Sequence, residues 1–127
     1  MSERLKTFFE ALLRRNSDFL AAVVTDKDGV PIVKATQDKV PNNVLRGSFL
    51  ATFASATEQA SKLGLSKNKT IVCSFSSFQV VQFNFLPLVV TIVATSQANT
   101  GLILSLENEF SDDVKEMSSA IRAISKD

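Results

Sequence analysis

The sequence predicts an α+β domain built around one antiparallel sheet. Apolar residues recur at helical spacing at the start, near the middle and at the end of the 127-residue chain, and β-rich runs lie between these segments. Short turns join the runs, which antiparallel strands permit and parallel strands do not. The predicted order is α-β-β-α-β-β-β-α, and we expect residues 1–127 to form a single domain.

The first predicted helix covers residues 3–15. Its apolar residues recur along one helical face, Ser2 is placed to cap its N-terminus, and two arginines suit its C-terminal end. Two β-rich runs follow at 19–25 and 30–36, separated by the sequence DKDG. Because Asp-Gly supplies a residue that tolerates positive φ, these runs are predicted to form a hairpin, and we prefer this interpretation to a calcium loop.

The helix predicted for residues 44–63 has an unusual outer face. Within residues 47–62 only Glu58 and Lys62 are charged, although a surface helix normally carries charge along its whole outer side. The residues that recur on this side are Gly47, Ala51, Ala54, Ser55 and Glu58. A glycine in mid-helix costs about 1 kcal/mol relative to alanine, which close approach by another backbone would offset. We interpret this face as a subunit interface, with burial inside the chain's own domain as the alternative.

Three further strands are predicted from the runs 70–75, 78–85 and 86–95, with turns at Ser76-Ser77 and Leu86-Pro87. Five consecutive β-branched residues at 89–93 favour a strand over a helix. Apolar residues fall on both faces of this last strand, so we expect it in the middle of the sheet and covered on both sides. The simplest arrangement of the three strands is a meander.

A meander with its last strand at the centre leaves the strand 70–75 at an edge. This strand contains neither proline nor charge, and such a bare edge invites pairing with another chain. We therefore predict that the edge strand and the small-residue helix face form one dimer interface. The strand residues of this predicted interface are Thr70, Ile71, Val72, Cys73 and Ser74.

The final segment is predicted to be helical from Asn99 to the end of the chain. Its apolar residues recur at steps of three and four. The sequence Ser-Asp-Asp at 111–113 is a candidate for a break, because it could start a new turn.

The composition argues against several classes of chemistry. The chain has no histidine, which excludes imidazole bases and His-containing zinc sites. The single cysteine, Cys73, lies in an apolar strand without a visible base, so a small buried thiol is favoured over a nucleophile. The formal charge of +1 gives no overall attraction to nucleic acid. We predict a chain that is not an enzyme, with no cofactor, no metal and no nucleic-acid partner.

An enzyme or ligand-binding module of the same fold is the alternative. The groups that suggest it are Asp26, Asp28, Glu58 and Lys69, which form no recognisable constellation. Direct membrane insertion is not expected, because the apolar run 84–95 is shorter than the roughly 20 residues of a membrane-spanning helix. The N-terminal segment also lacks the features of a secretory signal.

The element order and nearly the whole chain resemble the roadblock/dynein light chain domain family. A narrower likeness, to the MEK-binding scaffold subunits of the late endosomal and lysosomal adaptor complex Ragulator, is carried by long stretches of sequence. These stretches are DKDGVP, QASKLGLSKNKTIV, QVVQFN with LPLVV, and ANTGLI with SLE.

The resemblance implies a roadblock or longin-like fold, a five-stranded antiparallel sheet of order 2-1-5-4-3 with helices on both faces. The first and last helices would share one face. It implies a heterodimer with a sister roadblock subunit, formed by third strands and second helices. It further implies a non-enzymatic scaffold on the cytoplasmic face of late endosomes and lysosomes, held there by a lipidated Ragulator subunit. Such a scaffold would bind the Rag GTPases that recruit the TOR kinase complex, and would present MEK and ERK kinases to each other.

Overall fold

The structure is a computed structural model that describes residues 2–26, 28–37, 70–85 and 87–125. Its helices and strands are, in chain order, α1 (Ser2–Arg15), β1 (Phe19–Asp26), β2 (Pro31–Thr36), β3 (Thr70–Ser74), β4 (Phe78–Phe85), β5 (Leu88–Thr95), α2 (Thr100–Ser105) and α3 (Glu107–Ser125). The helix predicted for residues 44–63 lies outside the described residues. Every predicted strand is present, with bounds that differ by at most two residues.

The five strands form one antiparallel sheet in the order β2-β1-β5-β4-β3, which confirms the order that the family resemblance implied. β5 lies at the centre, paired with β1 on one side (Val24↔Val90) and with β4 on the other (Val81↔Ile92). Its residues 88–94 are all buried, as the β-branched run predicted. β3 is at an edge of the sheet and β2 is at the opposite edge.

The turn between β1 and β2 confirms the predicted hairpin. One carboxylate oxygen of Asp26 accepts hydrogen bonds from the backbone N–H groups of Asp28 (2.8 Å) and Val30 (3.0 Å). Gly29 adopts a φ of 85°, a conformation that residues with a Cβ rarely adopt. The Asp26 carboxylate thus organises the turn, which agrees with a hairpin rather than a calcium loop.

All three described helices pack on the same face of the sheet. Their buried apolar residues share one core with the strands: Leu5, Phe9, Leu12 and Leu13 of α1, Ile103 of α2, Phe110, Val114 and Met117 of α3, and Phe19, Ala22, Val24, Val33, Ala35, Val81, Phe83, Leu88, Val90, Ile92 and Ala94 of the sheet. A second group, Leu20, Ala21, Val80 and Val93, is buried separately from this core. The helical periodicity of the two ends of the chain therefore identified their core faces correctly.

Two details at the helix ends differ from the sequence prediction. α1 begins at Ser2, so this residue lies inside the helix rather than at its cap, a shift within the usual uncertainty of helix ends. The last helical segment breaks at Leu106, where the backbone N–H bonds to Ile103 O (3.1 Å), and not at Ser111. Phe110 and Val114 are buried on either side of Ser111, and their packing keeps the helix continuous there. No helix in the described ranges is long and apolar enough to cross a membrane.

Gln79 connects β4 to the end of β5 and to the start of α2. Its side chain is 4% exposed, and its Nε2 donates to the carbonyl oxygens of Thr95 (3.1 Å) and Ala98 (3.0 Å). Its Oε1 accepts from the Thr100 hydroxyl (2.7 Å). One buried amide therefore satisfies three polar groups of the segment that leads into α2.

Replacing Gln79 by leucine should lower the free energy of unfolding by about 1–3 kcal/mol, because the three partner groups lose their hydrogen bonds inside the protein. Urea denaturation of the purified variant measures the change. Gln97→Leu is the matched control, since Gln97 is exposed and the same substitution there should change stability by less than about 0.5 kcal/mol. Equal losses in the two variants would contradict this role of Gln79.

Candidate functional site

β3 is the strand on which the predicted interface rests. It pairs with β4 along its whole length, from Thr70↔Phe83 to Ser74↔Gln79. No strand within the described residues lies on its other side. The structure therefore presents β3 as an edge strand, as the sequence predicted.

The hydrogen-bond register shows which backbone groups of β3 point away from the sheet. The N–H of Phe75 donates to the carbonyl oxygen of Phe78 at 2.8 Å, so residues 75 and 78 form a hydrogen-bonded pair. Such pairs alternate along an antiparallel ladder, and Ile71 and Cys73 are therefore the strand residues that bond to β4. The residues whose N–H and C=O groups point outward are Thr70, Val72 and Ser74.

The side chains of this edge are small or apolar. Val72 is 42% exposed and Phe75, just beyond the strand, is 41% exposed. The Phe75 ring stacks on Phe78, with centroids 4.6 Å apart and planes 20° from parallel. The edge thus combines outward-facing donors and acceptors with exposed apolar surface and no charge, which is the surface that a strand of another chain can extend.

Cys73 is a structural thiol in this geometry. Its side chain shares a cross-strand pair with Val80, and burial raises the pKa of the Cys73 thiol above its ordinary value. Because the thiolate is the nucleophilic form, a raised pKa leaves the group protonated and unreactive at neutral pH. Cys73 is half-buried rather than buried as the sequence predicted, because it lies on an edge strand. The raised pKa agrees with the part of the prediction that favoured a packed thiol over a nucleophile.

Iodoacetamide should therefore modify Cys73 of the folded chain more slowly at pH 7 than it modifies the same cysteine in urea. The folded-state rate should increase as the pH rises, because a group with a raised pKa forms thiolate only at higher pH. Mass spectrometry of timed samples measures both rates. A folded-state rate equal to or above the rate in urea would show that the thiol is activated.

The remaining predicted site residues have different outcomes. The five on the predicted helix, Gly47, Ala51, Ala54, Ser55 and Glu58, lie outside the described residues, as does Lys69. The structure brings Thr70, Ile71, Val72, Cys73 and Ser74 together on one edge strand. Asp26 and Asp28, two of the groups considered for an enzyme, both belong to the β1–β2 turn. The Asp26 carboxylate organises this turn by accepting hydrogen bonds from the backbone N–H groups of Asp28 and Val30.

Comparison with known proteins identifies relatives over nearly the whole chain. Residues 3–121 match the family model described as mitogen-activated protein kinase kinase 1 interacting. The chain is 53% identical over 121 residues to Ragulator complex protein LAMTOR3-A of Xenopus laevis, a match that covers 95% of this chain and 98% of that protein. It is 52% identical over 117 residues to Ragulator complex protein LAMTOR3 of Mus musculus, covering 92% and 94% of the two chains.

Solved structures with the same fold are more distant in sequence. The structure described as MglB with tetrameric arrangement superposes with a TM-score of 0.76 at 17% identity, covering 94% of this chain and 90% of the other. A roadblock/LC7 domain from Streptomyces avermitilis gives a TM-score of 0.66 at 16% identity, covering 92% and 97%. These likenesses confirm the roadblock fold that the sequence resemblance implied.

Proposed function

This chain belongs to the mitogen-activated protein kinase kinase 1 interacting family, and from that membership we propose that it is a non-enzymatic scaffold or adaptor that acts by holding other proteins together. The exposed edge strand β3 is the observation that carries the proposal. A sheet edge with outward-facing N–H and C=O groups binds another chain through the backbone hydrogen bonds it already presents. The Ragulator names of its relatives support membership in a complex of that type.

The first partner that we propose is a sister roadblock subunit, meaning a second chain of the same fold encoded by another gene. The two chains would form a heterodimer in which their β3 edges pair. On this chain the interface would include Thr70–Ser74 and the small-residue face of the helix predicted for residues 44–63. The charge-free exposed edge supports the strand part of this proposal, and the sequence of residues 47–62 supports the helix part.

Further partners follow from the family and from the Ragulator relatives. We expect the heterodimer to bind the other Ragulator subunits, including a lipidated one that holds it on the cytoplasmic face of late endosomes and lysosomes. There it would support TOR activation that depends on the Rag GTPases, and it would scaffold the kinases MEK and ERK. The description of the matching family as interacting with a mitogen-activated protein kinase kinase supports the kinase part.

Calorimetric titration of the purified chain with its sister subunit tests the heterodimer. We expect a one-to-one complex. A stable, soluble chain with no measurable affinity for the sister subunit would contradict the proposal. Hydrogen exchange locates the contact: the outward-facing amides of Val72 and Ser74 should exchange rapidly in the free chain and become protected in the complex. The amide of Cys73, which the register assigns to β4, is the internal control and should be protected in both states.

A further inference from the structure

A cleft of about 570 Å³ lies between α1 and β2, at the edge of the sheet opposite β3. Its charged lining residues are Lys6, Glu10 and Arg14 of α1 and Lys34 of β2. All four residues are exposed. Lys6, Glu10 and Arg14 place two cations and one anion along the α1 wall. Lys34 lines the cleft from the strand edge, and its side chain points to the other face of the sheet because its neighbours Val33 and Ala35 face the core. The β3 edge proposed for the heterodimer lies at the opposite side of the sheet from this cleft.

The cations that line the cleft form no ion pair with the residues that the structure describes. Within the described part of the chain the only ion pair joins Arg4 to Asp113, and neither residue lines the cleft. Lys6, Arg14 and Lys34 therefore have no carboxylate partner among the described residues. Glu10 lies one helical turn from both Lys6 and Arg14, which sets a pattern of positive, negative and positive charge along the α1 wall.

Among the described residues, no strand lies on the outer side of β2, which also lines this cleft. The N–H of Gln37 donates to the carbonyl oxygen of Leu20 at 2.8 Å, so residues 20 and 37 form a hydrogen-bonded pair. By the alternation of an antiparallel ladder, Val33 and Ala35 bond to β1 while Lys34 and Thr36 point their N–H and C=O groups outward. The edge of β2 can therefore accept a further strand.

We infer that the α1–β2 cleft binds an extended, acidic segment of a protein partner, which adds to β2 as a sixth strand and places carboxylates beside Lys6 and Arg14. A second copy of this chain fits less well, because its β2 edge, PIVKAT, contains a lysine and no carboxylate and would bring no negative charge to Lys6 and Arg14. Charge complementarity favours an acidic strand instead.

The spacing of the charges defines the sequence pattern of this segment. Lys6 and Arg14 are eight residues apart, about 12 Å along a helix that rises 1.5 Å per residue. In a strand that rises about 3.4 Å per residue, two residues on the same side four positions apart are about 14 Å apart. Acidic residues at positions i and i+4 therefore match the two cations, and a lysine at i+2 matches Glu10.

A blocked peptide with the core Glu-Thr-Lys-Thr-Glu is the probe, and its charge-reversed counterpart, Lys-Thr-Glu-Thr-Lys, is the control ligand. Each is titrated into the isotope-labelled full chain at low salt and followed by NMR. We expect the amides of Lys34 and Thr36 to shift with the first peptide. It should bind about tenfold more tightly than the second, because its three charges meet opposite charges on α1 whereas those of the second meet like charges. Absence of binding, or equal binding of the two peptides, would overturn the inference.

Two pairs of variants test the wall and the edge of the cleft. Arg14→Glu should weaken the acidic peptide about tenfold, whereas Arg15→Glu, on the adjacent exposed residue outside this cleft, should change its affinity less than about twofold. Lys34→Gln removes only the charge and should weaken binding. Lys34→Pro also removes the backbone N–H that points away from β1 and would bond to the added strand, so it should abolish binding. Equal effects within either pair would overturn the inference.

Two further measurements distinguish an acidic partner at the cleft from a failure of the proposed heterodimer and from self-association of the chain. Arg14→Glu should retain the affinity for the sister subunit, so that failure at the cleft and failure of the heterodimer remain distinguishable. Analytical ultracentrifugation of the wild-type chain and of Lys34→Pro tests the second copy as occupant. Self-association that Lys34→Pro removes would assign the cleft to another copy of the chain and overturn the acidic partner.

Discussion

Val72→Pro should weaken binding of the sister roadblock subunit about 30- to 150-fold while the chain remains folded. The N–H of Val72 points away from β4, so proline leaves the β3–β4 ladder intact and is tolerated at an edge strand. In the heterodimer the same change removes a donor and leaves a carbonyl of the partner unsatisfied in the interface. The expected loss is about 2–3 kcal/mol of binding free energy.

Cys73→Pro is the control for this prediction, because Cys73 is the neighbouring residue whose N–H is directed toward β4. Proline at that position removes a hydrogen bond of the chain's own sheet and should lower the melting temperature even without a partner. Thermal melts followed by circular dichroism and calorimetric titration with the sister subunit are run on both variants. Wild-type affinity in a folded Val72→Pro variant would show that β3 is not the dimer edge.

Phe110→Ala should have the largest effect on stability, a loss of about 3–5 kcal/mol in the free energy of unfolding. The Phe110 side chain is 1% exposed, and its ring meets three other rings edge to face. The centroid distances are 5.2 Å to Phe83, 6.0 Å to Phe9 and 6.0 Å to Phe85. Truncation leaves a cavity where α1, α3 and β4 meet and removes all three aromatic contacts.

Leu104→Ala gives the comparison for Phe110→Ala, since Leu104 is 39% exposed on α2. Its truncation should cost less than about 1 kcal/mol. Urea denaturation of both variants gives the two free energies of unfolding. A Phe110→Ala loss as small as that of Leu104→Ala would mean that the meeting point of α1, α3 and β4 is not the packed core that the structure shows.

Much of the fold could be predicted because its information is local. The β-branched run at 89–93 restricts side-chain rotamers within a few residues of chain, and this restriction favours a strand whatever surrounds it. Asp28-Gly29 likewise predicts a tight turn from two adjacent residues. The sheet order required more, because the pairing of β1 with β5 joins residues such as Ala22 and Ile92, and it was predicted through the family resemblance.

Local patterns failed where tertiary packing competes with them. Ser-Asp-Asp at 111–113 is a reasonable helix start, yet the burial of Phe110 and Val114 keeps α3 continuous there and the break falls at Leu106. Gln79 lies within a run of strand residues and has no sequence feature that marks it. Its importance comes from Thr95, Ala98 and Thr100, which only the folded chain brings to its amide.

The sequence by itself determined the type of each described element, the lack of charge and proline in residues 70–74, and the lack of histidine chemistry. These properties depend on residue identity and on neighbours a few positions away. Only the tertiary structure decided which backbone groups of β3 face outward and which residues line the cleft beside β2. Lys6, Arg14 and Lys34 border one cleft because β2 pairs with β1 beneath α1. Contacts between residues distant in the chain create that proximity, and no local spacing encodes it.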